Sequence, residues 1–174
     1  VLTFMLKYIK FSKPQQIPAD ATVIFVADMF VDEYVGGAEL TTDALITSSP
    51  CNIFKVRSKD LTIELLSQGL DKHWIFCNYA AINLELINWI TDNMSYSIIE
   101  YDYKYCKFRS AELHAATEGH KCDCGVTQRG NIISTFMLKS RSLWWMSESQ
   151  RDHYINVFPS LRSKSSNVLS SVFD

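Results

Sequence analysis

The chain has 174 residues and is 47% hydrophobic, enough for one well-buried domain. Its 17 basic and 19 acidic residues nearly cancel, so composition supplies no basic stripe of the kind that binds nucleic acid. No stretch reaches the roughly 18 apolar residues needed to span a bilayer, and the opening VLTFMLKYIKF is interrupted by Lys7 and Lys10 and lacks a cleavage site for a signal peptide.

Residues 1–21 read as an N-terminal extension, broken by SKPQQIPAD before the first buried element. ATVIFVADMF then forms a continuous apolar, β-rich run, the pattern of a strand covered on both faces. FVDEYVGGAELT follows, with two of the chain's six glycines side by side, and GAELTTDALITSS has helical spacing. CNIFKVRS predicts a second strand, and KDLTIELLSQGL a helix with Asp60 as N-cap and Gly69 as its stop. HWIFCN is a third strand, AAINLELINWITDN a helix and YSIIEYDY a fourth strand. Residues 104–130 are polar and aperiodic and predict a long loop. NIISTFMLKSR, SLWWMS, ESQRDHYINVFPSL and NVLSSVF complete the order as helix, strand, helix and strand, the last helix ending near Pro159. Strands alternating with helices predict an α/β fold, a Rossmann-like doubly wound and mainly parallel sheet with helices on both faces.

In such sheets ligands sit beyond the carboxyl ends of the strands, near the switch in strand order. Gly36 and Gly37 open a helix there, where bare amides and the helix dipole favour an anion, although a plain turn has the same sequence. The G-x-G-x-x-G pattern is absent, which disfavours a dinucleotide cofactor. Glu100 and Asp102 would share a side if the fourth strand continued, and could bind hydroxyls or act as a base. Ser147 reads first as a helix N-cap, and no flanking glycines make it a nucleophile elbow. Trp144 and Trp145 read as core, and His73 and His153 as surface or packing groups.

The five cysteines divide. Cys51 and Cys77 lie in apolar runs and read as small buried hydrophobes. Cys106, His114, Cys122 and Cys124 are spaced C-x7-H-x7-C-x-C, a Cys3His set suited to a structural zinc, with His120 able to replace His114. Free thiols or a disulfide such as Cys106–Cys122 are the alternatives. The cysteine pattern is unlike a secreted disulfide framework, so a reducing, cytoplasmic setting is expected.

With YVGGAELTTDAL, SIIEYDY and WWMSESQRDHY in place, the chain resembles the N-terminal half of a GT-B glycosyltransferase, closest to the large retaining family 4 type that uses nucleotide-sugar donors. The likeness covers residues 22–174 in the order of elements, and GGAE is its one compact motif. It implies that 22–174 form the acceptor-side domain, with Gly36, Gly37 and Glu39 at a cleft for donor diphosphate and acceptor (a glycan, lipid or small molecule). Glu100 and Ser147 would be further substrate contacts. Relatives carry a histidine near the end of the fourth strand; here Tyr101 and Asp102 stand there, and Asp102 is the candidate catalytic residue. Loop 104–130 departs from the general pattern and is read as an insertion. The family's nucleotide-binding groups belong to a C-terminal domain, expected to lie outside this chain. The other reading is a metal-stabilised α/β interaction module without catalysis.

Overall fold

The computed structural model describes residues 15–169. Most of the N-terminal extension, and the end of the strand expected over 167–173, lie outside them. Six strands, β1 (Val23–Ala27), β2 (Ile53–Arg57), β3 (His73–Phe76), β4 (Tyr96–Glu100), β5 (Ser142–Trp145) and β6 (Ser166–Val168), form one sheet in the order β2-β1-β3-β4-β5-β6. Every pairing is parallel. The direction of winding reverses between β1 and β3, so the crevice of this doubly wound sheet lies at the carboxyl ends of those two strands.

Alternation along β1 divides the core. Ile24 and Val26 face a large cluster with Trp74, Phe76, Ile98 and Trp145, while Phe25 and Ala27 face a smaller one with Cys77 and Ile99. The large cluster is closed by α2 (Ile63–Ser67), α3 (Leu84–Asn93), α5 (Gln128–Lys139) and α6 (Glu148–Val157). Helix α1 (Gly37–Ser48) covers the other face through Leu45 and Ile46. Tyr96 and Phe136 stack at 4.5 Å between ring centres, and Phe76 meets both edge-on, which joins β3, β4 and α5.

Local chemistry moves several expected boundaries. Thr62, not Asp60, caps α2 by accepting from the Leu65 amide, because the Asp60 carboxylate is taken by Arg57 Nε at 2.9 Å. The helix stops at Ser67, before Gly69. Helix α3 begins only at Leu84, capped by Asn83. Strand β4 ends at Glu100, so Glu100 and Asp102 are not strand neighbours on one side. Residues 104–130 are not an aperiodic loop: they hold α4 (Ala111–Glu118), capped by Ser110, a 3-10 turn at Cys124–Val126, and the first turn of α5. Helix α6 ends at Val157 and Pro159 opens a separate 3-10 turn. Cys51 is exposed, against expectation, while Cys77 is fully buried. Trp145 is core as expected; Trp144 is only half-buried.

His73 takes the packing role of the two expected for it, joining a hydrogen-bonded row across three strands. Its Nε2 lies 3.0 Å from Ser97 Oγ, which accepts from Ser142 at 2.7 Å. Burial, then the Arg141 charge, hold the His73 imidazole below its ordinary value of 6.5. The unfolded chain therefore binds the extra proton first, and stability present above about pH 6.5 is lost as pH falls. Urea midpoints taken from about pH 7 to pH 5 are expected to fall, and His73→Gln to flatten that slope.

Candidate functional site

Two constellations meet at the carboxyl side of the sheet. The first is a cleft of about 810 Å³ lined by residues that include Asp28, Gly36, Gly37, Glu39, Lys59, Asn78 and Arg109. Asp28 directly follows β1 and Asn78 closely follows β3, so both stand at the winding switch. The Asp28 carboxylate accepts from the Ala80 and Ala81 amides at 3.2 and 3.1 Å and from the Ser58 hydroxyl. Those bonds tie the loops after β1, β2 and β3 together beneath the cleft.

The glycine pair has two different explanations. Gly36 caps α1 in an extended conformation (φ −141°, ψ 176°), and a β-carbon there would lie 2.7 Å from Glu39 Oε2 and 2.9 Å from the Tyr34 ring. Its missing side chain makes room for the buried Glu39. Gly37 faces open space, with nothing within 4 Å of a β-carbon. Among the described residues only Gly119 is a glycine with positive φ, so no turn requires Gly37 either. At the first helical position it lines the cleft.

Arg109 supplies the cleft's guanidinium. Its Nη2 donates to Asn78 Oδ1 at 3.2 Å, and its Nε and Nη2 both bind the Asp102 carboxylate, the Nε contact at 2.7 Å. Asp102, the expected catalytic group, is therefore held by Arg109 and by Lys104 Nζ at 3.1 Å, and does not line the cleft itself. Glu100, expected to touch substrate, is fully buried below it. It accepts from Tyr79 at 2.6 Å and from Lys104, also fully buried, at 3.3 Å. Burial pushes the Glu100 carboxyl up from its ordinary value while Lys104 holds it down. Burial and that carboxylate keep the Tyr79 phenol protonated as a donor. Ser147 caps α6, accepting from the Gln150 amide at 3.1 Å, and stands outside the cleft lining.

The second constellation is the Cys/His cluster. Cys106, His114, Cys122 and Cys124 present their ligand atoms within 4.8 Å of one another and could hold a metal ion. Cys106 Sγ lies 3.5 Å and Cys124 Sγ 3.3 Å from His114 Nδ1, and the Cys106 and Cys122 sulfurs are 3.6 Å apart. That last distance is far from the roughly 2.0 Å of a disulfide. His114, not His120, is the buried histidine; its Nδ1 faces the thiols and its buried Nε2 has Asp123 Oδ1 at 3.8 Å. Of the eight residues of α4, only His114 is buried, so the helix is joined to the domain chiefly through that imidazole.

The fold and cleft define a parallel α/β domain with its crevice at the β1/β3 switch and a Cys3His cluster beside it. Compared with family models, curated proteins and solved structures, the chain matches none. No helix among the described residues is long and apolar enough to cross a membrane. Sequence spacing located the four metal-ligand candidates and the glycines. It missed Asp28, Lys59, Asn78 and Arg109. Asp28 and Asn78 carried a signal, since each comes just after a strand that flanks the switch; Arg109 carried none, being delivered by a turn whose conformation depends on tertiary contacts.

Proposed function

We propose that this domain is the acceptor-side half of a GT-B glycosyltransferase that transfers a sugar from a nucleotide-sugar donor. The observation that carries the reading is Gly37: with neither a turn nor a packing contact to require a glycine, it opens α1 onto the cleft that holds Arg109. A bare helix start suits close approach by a diphosphate, and a guanidinium lining the same cleft can offset developing charge on a leaving nucleotide. Asp28, Glu33 and Glu39 add carboxylates that can accept from sugar hydroxyls. In this reading a second domain, carrying the donor-binding groups, closes the cleft from the other side.

Gly37→Ala separates the two explanations of the glycine. A methyl there meets open space, so the folded state is expected to be unchanged or up to about 1 kcal/mol more stable. Binding of a nucleotide-sugar, measured by calorimetric titration, is expected to weaken about tenfold, which is roughly 1.4 kcal/mol. Loss of stability with unchanged binding would return the glycine to a turn. The 174 residues by themselves are expected to bind a nucleotide-sugar only weakly, through its diphosphate at the Gly37 and Arg109 side of the cleft, and not to transfer from it; turnover by this chain alone sinks the assignment of donor groups to a second domain.

The Cys3His cluster supports a structural zinc. A tetrahedral zinc with bonds of about 2.3 Å to sulfur and 2.0–2.1 Å to nitrogen sets sulfurs about 3.8 Å apart and sulfur from nitrogen about 3.6 Å apart, close to the separations here. With Nδ1 on the ion, the proton sits on Nε2 and Asp123 is the nearby carboxylate that would orient it. Four protein ligands leave no open position, so the ion's role is to hold the segment and not to do chemistry. Five unbridged cysteines fit a reducing, cytoplasmic compartment.

A further inference from the structure

We propose that the Cys3His centre controls the cleft by holding Arg109 in it, so that anion binding at the cleft depends on a metal bound some residues away. The inference rests on the reading of the cleft as an anion site and adds a positioning role for the metal segment.

Arg109 lies between the first two ligand candidates in the chain, Cys106 and His114, and its guanidinium lines the cleft. It is the one non-glycine among the described residues with positive φ, at 57°. Side-chain-bearing residues stay in that region only when neighbouring structure holds them there. Here the backbone holders are the ligand residue Cys106 and Tyr103, which precedes it. The Arg109 amide donates to the Cys106 carbonyl at 3.0 Å, and the Arg109 carbonyl accepts from the Tyr103 amide at 3.4 Å. Cys106 Sγ contacts the Ser110 carbonyl at 3.4 Å. Ser110 in turn caps α4, accepting from Leu113 through its hydroxyl and from His114 through its carbonyl, both at 3.1 Å.

Helix α4 cannot supply this restraint alone. It has eight residues, too short to persist in water unaided, and its single buried side chain is His114. A cation joining His114 to Cys106 on one side and to Cys122 and Cys124 on the other closes the segment at both ends. Without it, only the weak sulfur contacts among Cys106, Cys122, Cys124 and His114 join the two ends, and the Cys106–Ser110 turn loses its anchor. The Arg109 backbone then relaxes from its left-handed conformation, and the guanidinium leaves Asn78 and Asp102. Cys106 and Cys124 belong to the same core cluster, but its Trp74, Phe76, Phe136 and Trp145 are packed by other helices, so the sheet need not respond.

The test compares the zinc-loaded chain, the same chain stripped by a chelator, and the stripped chain given back one equivalent of zinc. The Arg109 side-chain Nε–Hε resonance, assigned with Arg109→Lys, is expected to be sharp, shifted and slow to exchange when loaded. It is expected to move to the free-arginine position on stripping and to return with zinc, while the buried-tryptophan emission stays native throughout. Binding of inorganic phosphate is expected to weaken at least tenfold on stripping, to the level of loaded Arg109→Ala, with Arg109→Lys keeping part of the affinity. An unmoved Arg109 resonance after proven metal loss overturns the proposal. So does global unfolding on stripping, since the ion would then hold the fold and not this residue, and so does failure to bind zinc at all. If the resonance responds but the loaded protein binds no phosphate, the anion reading of the cleft fails while the metal's hold on Arg109 stands.

Discussion

Replacing Cys124 by serine is expected to abolish tight zinc binding and to destabilise the segment from Cys106 to Val126 by on the order of 4 kcal/mol or more, the range reached when a structural metal is lost. The size follows from what else holds that segment. Cys106, His114 and Cys124 are themselves its buried residues, at 0%, 1% and 5% exposure, so three of the four ligand side chains are also the segment's buried core. The loop docks where the 3-10 turn at Cys124 meets α5 at Gly130, whose missing β-carbon leaves room for the Cys124 and Gly125 carbonyls. A serine fits the space but gives a poorer zinc ligand than a thiolate. Elemental analysis should find close to one zinc per wild-type chain and far less in Cys124→Ser. Hydrogen exchange should rise over the segment and stay slow in the strands. Asp123→Asn should lie between the two, with zinc affinity lowered about 10–100-fold, because it removes only the group beside His114 Nε2. Wild-type protein without metal, with the three thiols of the segment reacting freely, would remove the zinc reading.

Lys104→Met is expected to cost about 3–5 kcal/mol at neutral pH, the penalty for leaving a buried charge without its partner. Lys104 and Glu100 are both fully buried, and the Tyr79 hydroxyl and Asp102 amide, both neutral donors, cannot replace the ammonium on the carboxylate. The substitution also removes a cation from 4.9 Å above the Tyr79 ring and one of the two cations on Asp102. The pH dependence has a definite sign. Burial already raises Glu100, and loss of Lys104 removes what lowers it. The folded variant then holds a proton on Glu100 that the unfolded chain has released, so its stability falls as pH rises from the ordinary carboxyl range toward neutrality. Denaturation midpoints should show the smallest deficit at acid pH. Adding Glu100→Gln should recover part of the loss at neutral pH, because an uncharged amide can still accept from Tyr79. A double variant no better than Lys104→Met would mean that packing of the lysine stem, not charge, dominates.

The two expectations concern neighbouring groups with different origins in the sequence. The thiols and histidine were legible as a set because metal ligation needs particular atoms at short spacing, and few other roles place three cysteines and a histidine in a polar stretch. Glu100 and Lys104 were not legible as a pair. Glu100 reads as a substrate-facing carboxylate at the end of a strand, and its burial is set by Tyr79 and Lys104 arriving from loops after β3 and β4. The same reason misplaced Asp102, whose carboxylate is claimed by Lys104 and Arg109. Helix α4 was missed because its sequence has no apolar stripe; the only face it buries is one imidazole.

By itself the sequence determined the alternation of strands and helices, because runs such as VIFVA and YSIIE leave no choice but burial between two helical layers. It also determined that Gly36-Gly37 opens a helix and that four metal-ligand side chains belong together. Tertiary structure alone decided the strand order, and with it that the loops after β1 and β3 meet at one crevice. It decided too that Gly36 serves packing while Gly37 faces open space, and that Arg109 reaches the cleft. The division has one cause. Periodicity and ligand spacing are encoded within a few residues, whereas which loop meets which is set by the packing of the whole sheet.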